Sequence, residues 1–149
     1  MTTQTTAGKP LLPEVQVFLS KEVHGAVIGG QEVTASNGDT FDTRDPGTGE
    51  KLATVSNMQP DDVERAVADA QKTFDEADWA RLPVNERGVH LMRLADAVEQ
   101  RKPIIAQIEA LDCGKIEAQA ADDVQNFIDT IRYLDRKSTR LNSSHSEIS

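Results

Sequence analysis

Cys113 is the residue that most invites a chemical reading. It is the only cysteine among 149 residues, and a lone cysteine with histidines elsewhere in the chain is one pattern of a nucleophile. It stands at the end of an apolar run, just before Gly114. The plainer reading is a small, partly buried packing residue, since free cysteine usually behaves that way. His24 and His90 lie far apart and have no ligand-type partner three or four positions on; His145 falls near the C-terminus. A zinc-type site needs three or four ligands, which these residues do not supply. Gly25, Gly29 and Gly30 could suggest a phosphate loop, but the spacing is not G-x-G-x-x-G and no helix follows. A hairpin turn explains them better. Asp61, Asp62, Glu64 and Asp69 read as a solvated helix face whose first acids complement the helix N-terminus. No general acid/base pair emerges from them. Asp123, Asn126 and Thr130 share one side of a later helix at spacings of three and four, as a solvated polar face would.

The elements that must position these residues follow from periodicity. Residues 1–15 are rich in Thr and Pro without a period and read as a disordered leader. Short strands are expected within about 25–56: Ala26-Val27-Ile28 closed by Gly29-Gly30, Thr40 to Arg44, and Lys51 to Ser56. Turns are marked by Asn37-Gly38 and by Asp45-Pro46-Gly47-Thr48-Gly49. Together these predict a small antiparallel sheet. From Pro60 the period becomes helical, with Val63, Ala66, Val67, Ala70, Phe74 and Ala77 on one stripe. A second helix is predicted from Pro83, carrying Val84, Arg87, Leu91, Leu94, Ala95 and Val98. A third, short one follows Pro103 with Ile104, Ile105, Ile108 and Leu111, and Gly114 is placed to cap it in the left-handed conformation. A fourth carries Ala121, Val124, Phe127, Ile128, Ile131 and Leu134. About four helices are therefore expected over 60–134.

The last stretch, 135–149, breaks this texture. It holds five serines and no apolar face, and it is basic. Without residues 136–149, Lys and Arg fall from 16 to 13 and Asp and Glu from 25 to 24, a net charge of −11 against −9 for the whole chain. So abrupt a reversal after an amphipathic helix reads as a foreign, disordered segment, resembling an adapter sequence translated in frame. The alternative is a natural disordered tail.

Composition excludes several partners. With 38% hydrophobic, 4% aromatic and 28% charged residues and a pI near 4.7, the chain is acidic and polar. Such a chain repels nucleic-acid backbones and anionic membrane surfaces. There is no secretory or transit signature at the N-terminus, no apolar run approaching the ~20 residues of a membrane helix, and no cysteine pair for a disulfide. A cytoplasmic location is the expectation.

Several ordered motifs together resemble the aldehyde dehydrogenase superfamily. They are Ile28-Gly29-Gly30-Gln31-Glu32 with Ser36-Asn37-Gly38-Asp39-Thr40-Phe41, Asp45-Pro46-Gly47-Thr48-Gly49-Glu50, and Asp61-Asp62-Val63 with Ala66-Val67 and Ala70. Further on come Trp79-Ala80-Arg81-Leu82-Pro83 with Glu86-Arg87, Leu94-Ala95-Asp96, Leu111-Asp112-Cys113-Gly114-Lys115, and Ile131-Arg132-Tyr133. Each is weak alone; their order over residues 26–134 carries the resemblance, closest in feel to the general and betaine-aldehyde branches. It covers most of this chain but only about the first quarter of a family member. The chain thus reads as an N-terminal fragment, residues 16–134, of an α/β parent fold: a strand and hairpin region followed by about four helices.

The resemblance implies an oxidoreductase that converts an aldehyde to a carboxylic acid with NAD or NADP. In such enzymes a cysteine attacks the carbonyl to form a thiohemiacetal, hydride passes to the coenzyme, and a glutamate activates water. The family's nucleophile, its glutamate and its coenzyme site fall outside this stretch. Neither catalytic nor coenzyme-binding residues are therefore expected here, and the fragment should be inactive and bind no coenzyme. A small aldehyde as substrate and a homo-oligomeric parent are implied for the whole enzyme. The resemblance also implies that Asp112, with the backbone carbonyls of Thr43 and Arg44, could hold a sodium or potassium ion, a hard cation suited to oxygen ligands. It further places Asn126, Asp123 and Thr130 along the wall of a substrate tunnel. A different class remains open beside it: a small helical binding or oligomerisation module without catalysis.

Overall fold

The computed structural model describes the backbone of residues 5–6 and 9–146 and the side chains of residues 10–79 and 81–134. A two-residue ladder, β1 (Thr5–Thr6) with β2 (Lys9–Pro10), precedes helix α1 (Pro13–Leu19). Two hairpins follow: β3 (Ala26–Ile28) with β4 (Gln31–Val33), and β5 (Thr40–Arg44) with β6 (Lys51–Ser56). Helix α2 (Pro60–Glu76), a 3-10 turn (Asp78–Ala80), α3 (Val84–Gln100), α4 (Lys102–Cys113) and α5 (Glu117–Ser146) complete the order.

Strands β3, β5 and β6 form where the sequence placed them, β4 and the β1–β2 ladder of the expected leader add to them, and they do not make one sheet. Each antiparallel pair is a separate two-stranded ladder. Gly29 and Gly30 have φ of 58° and 74°, both left-handed, as a tight two-residue hairpin turn demands. The Asn37-Gly38 turn joins β4 to β5, which do not pair with each other. His24 links the two hairpins instead: its N–H donates to the Thr54 carbonyl and its carbonyl accepts from Ser56, both at 2.9 Å along the edge of β6.

Residues 10–15 are the first departure from expectation. The leader was expected to stay unstructured through residue 15, yet Leu11 and Val15 are buried against Leu52 and Leu111. Pro13 opens α1 at its first turn, where a missing N–H costs nothing. The N–H of Leu12 donates to Oε1 of Gln107, a buried amide, at 2.7 Å. Seven residues of helix are too few to show a period, and their burial depends on partners about a hundred residues away.

The main core lies between α3, α4 and α5. Ala95, Ala106, Ala110 and Ala120 bring the helices close, and Val124, Ile128 and Ile131 fill the seam. Gly114 ends α4 at φ 70°, donating its N–H to Ala110, as predicted. Pro103 falls in the first turn of α4, so the break between α3 and α4 lies just before it. The backbone of α5 continues to Ser146, consistent with the absence of Gly and Pro between 117 and 146. Side chains of the stretch expected to be a tail, from 135, lie outside the described residues.

The stripe on α2 behaves differently. Val63, Val67 and Phe74 are 54%, 63% and 75% exposed, so the apolar face legible in the sequence stays largely open and meets β3 across a shallow groove. On α5, Phe127 and Leu134 likewise face outward while Val124, Ile128 and Ile131 point in.

Candidate functional site

A cleft of about 760 Å³ opens between α1, the two hairpins and α4. Its apolar floor includes Leu52, Val55, Ile105 and Ile108, and Asp112 and Cys113 stand among its lining residues. The hydroxyl of Thr43 donates to Oδ1 of Asp112 at 2.8 Å. The contact joins Asp112 to the Thr43 side chain across 69 positions of sequence, and the Thr43 backbone carbonyl invoked for the cation takes no part in it. The Arg44 side chain turns elsewhere, donating to the Gly49 carbonyl at 3.2 Å and lying 3.9 Å from Asp42. Only its backbone carbonyl was invoked, so this does not conflict with the expected set. No group of three or more His, Cys, Asp or Glu side chains suited to a metal occurs among the described residues.

Cys113 corrects an expectation. It was read as partly buried, and it is exposed. The reason is its place as the final residue of α4: the inward positions of the last turn are taken by Ala110 and Leu111, and the left-handed Gly114 then turns the chain away.

Beside the cleft, Lys115 lies between two carboxylates, 2.5 Å from Glu109 and 2.8 Å from Asp123. Its pKa is pushed up by those bonds, to Asp123 first and Glu109 second, so the ammonium stays charged. The bridge ties the end of α4 to the start of α5. Of the three predicted tunnel residues, all are exposed on α5. Asp123 is occupied by Lys115, and the Thr130 hydroxyl donates to the Asn126 carbonyl at 2.7 Å. Asn126 is the one whose side chain makes no hydrogen bond among the described residues. Further along, Arg132 reaches across to α3, 2.8 Å from Asp96 and 2.7 Å from Glu99. That contact holds the Glu99 carboxyl below its usual range.

Asp62 was missed as an individual. It was read as part of a solvated acidic face, yet it is 1% exposed. Its Oδ2 accepts from the N–H of Gln59 at 3.0 Å, the N–H of Ser36 at 3.0 Å and the Ser36 hydroxyl at 3.2 Å. Gln59 closes the reciprocal half of a capping box, a signal the sequence did carry in Gln59 and Asp62 at a spacing of three. The N–H of Ser36 first, and that of Gln59 second, hold its pKa below the ordinary aspartate value.

Comparison with known proteins decides the lineage. The aldehyde dehydrogenase family model matches residues 33–149, a range that takes in the stretch from 135. The chain belongs to the aldehyde dehydrogenase family. It is 40% identical over 126 residues to the mitochondrial benzaldehyde dehydrogenase of Antirrhinum majus, covering 84% of this chain and 23% of that protein. It is 36% identical over 122 residues to the human mitochondrial 10-formyltetrahydrofolate dehydrogenase, covering 81% of this chain and 13% of that protein. The NAD+ complex of an aldehyde dehydrogenase from Bacillus cereus superposes with a TM-score of 0.79 at 36% identity, over 84% of this chain and 26% of that one. The chain therefore spans about a quarter of that structure and less of these curated relatives. Its hairpins and helices are part of the α/β aldehyde dehydrogenase fold.

Proposed function

We propose that this chain is the front part of an NAD(P)-dependent aldehyde dehydrogenase that oxidises an aldehyde to a carboxylic acid. The observation that carries the reading is the alignment of both the hairpins and the helices with a relative solved with NAD+ bound. Bound coenzyme would supply the hydride acceptor. In this reading the present residues build a wall rather than a reaction centre: Lys115 and Arg132 fix α5 to α4 and α3, and the outer face of α5 lines the way to the substrate. Asn126 is the side chain we assign to substrate contact, because Asp123 is held by Lys115 and Thr130 by the backbone. Asp112, with the Thr43 and Arg44 carbonyls, would hold a sodium or potassium ion in the whole enzyme. Its carboxylate already faces β5, where those carbonyls lie. A cytoplasmic homo-oligomer acting on a small aldehyde completes the proposal.

Two measurements test it. The 149-residue chain, mixed with aldehyde and NAD+ or NADP+, is expected to produce no reduced coenzyme, because in this reading the family's nucleophile, glutamate and coenzyme site lie outside it. Aldehyde-dependent reduction by the chain alone would overturn that assignment. Reading the coding DNA past the codon for Tyr133 tests the family activity itself. The frame is expected to run on into a coenzyme-binding segment, a glutamate and a second cysteine. A genuine stop near Ser149 would favour the non-catalytic module.

A further inference from the structure

The Asn37-Gly38 turn has a chemistry that the dehydrogenase reading does not use. Asn37 is exposed, and the space where a side chain on Gly38 would stand is open, with nothing within 4 Å. The Asn37 carboxamide folds back over the turn, its Oδ1 accepting the N–H of Asp39 at 2.9 Å. Ser36, one residue earlier, supplies two of the donors that hold the buried Asp62 at the start of α2. We propose that Asn37 is a self-modification site, a spontaneous deamidation centre whose conversion loosens the Ser36–Asp62 latch.

The reaction needs only water. The Gly38 nitrogen loses its proton to solvent and bonds to Cγ of Asn37, closing a five-membered imide. The bond from Cγ to Nδ2 breaks, and Nδ2 leaves as ammonia after taking up a proton. Water then opens the ring at either carbonyl, giving aspartate or isoaspartate. Three features favour this at residue 37. Glycine leaves the attacking nitrogen unshielded. The Asp39 N–H is already on Oδ1, where negative charge develops during attack, and donors placed there stabilise such a step. The single bond that restrains the nucleophile, Gly38 N–H to the Ala35 carbonyl at 2.9 Å, belongs to a surface turn, and such bonds open at low free-energy cost. Asn85 and Asn126 lack these features: both lie in helices and are followed by Glu86 and Phe127. Asn57 is followed by Met58, and its amide is donated to Asp39 at 2.8 Å.

The consequence follows from position. Isoaspartate inserts an extra backbone carbon between residue 37 and Gly38, and either product adds a negative charge on the residue next to Ser36, whose donors hold the Asp62 carboxylate. Both changes pull against the Ser36 donors, and like charges nearby disfavour a buried carboxylate.

The test is a timed incubation of the purified chain at mildly alkaline pH, followed by peptide mass mapping and amide hydrogen exchange. Asn37 is expected to convert at least several-fold faster than Asn57, Asn85 or Asn126, yielding both aspartate and isoaspartate. In the converted protein the amides of Ser36 and Gln59 are expected to exchange faster, while those inside α4 keep their protection. N37Q, which closes the imide far more slowly and leaves Gly38 in place, should show neither change over the same period. Conversion no faster at Asn37 than at Asn57, Asn85 or Asn126 would overturn the site. Conversion with unchanged exchange at Ser36 and Gln59 would overturn its link to Asp62.

Discussion

Asp62 illustrates what one side chain does when its surroundings complete it. A carboxylate taken out of water is stable only when its oxygens are satisfied. Here two backbone N–H groups and a hydroxyl do so, with Arg65 at 3.2 Å adding a weaker pull. Because the folded-state pKa is lowered, its stabilising effect is full above the ordinary aspartate pKa and is lost as pH falls through the lower, folded value. D62N is therefore expected to lower stability at neutral pH and to flatten the loss on acidification, read from denaturation midpoints across the acid range. An unchanged acid profile would mean that Asp62 does not carry this linkage. The sequence held half of this: the N-terminal acids of α2 and the Gln59 spacing were visible, but Ser36 lies 26 positions away and no local pattern announces it. The same holds for Asp112, whose partner on β5 became visible only through the fold.

At the scale of elements, the end of α4, which depends on backbone chemistry, was legible, whereas what covers the face of α2 was not. Gly114 shows the first case. Its left-handed φ and the nearness of Pro46, 3.1 Å from where a Cβ would stand, both require glycine. G114A should destabilise the chain by about 1–2 kcal/mol from the left-handed conformation alone, with more from the Pro46 contact, measured by urea unfolding at unchanged m. A loss well below that range would show that the α4 end relaxes freely. The α2 stripe shows the second case. Its period predicted a buried face, and its residues do form one stripe, but what the stripe meets is not encoded in the stripe itself. Helix α1 is the converse: too short for periodicity to reveal, and buried only because Leu52 and Leu111 come to it.

The whole molecule keeps a helical core and a bare flank. Val27, Val63, Val67 and Phe74 all stand open, and apolar surface of this kind binds hydrophobic dyes or other proteins. The chain alone is expected to give strong far-UV helix signal together with dye binding. Replacing Val67 and Phe74 by serine should reduce the dye signal while shifting stability by only about 0.5 kcal/mol per site, as surface substitutions do. Retained dye binding in that variant would place the sticky surface elsewhere, on Phe127 and Leu134 of α5.

The bond from Leu12 to Gln107 also sets an order of events in time. It closes a loop of 95 positions, whereas α3, α4 and α5 meet their neighbours within short connections. Long loops close at an entropic cost that local contacts must first offset. The N-terminal strap is thus expected to be the last piece to arrive and the first to leave. Q107A, which strands the Leu12 N–H, should cost about 1 kcal/mol or more and should appear almost wholly as faster unfolding, with the refolding rate nearly unchanged. During synthesis, the Leu12 N–H must therefore wait for its partner until α4 has been made.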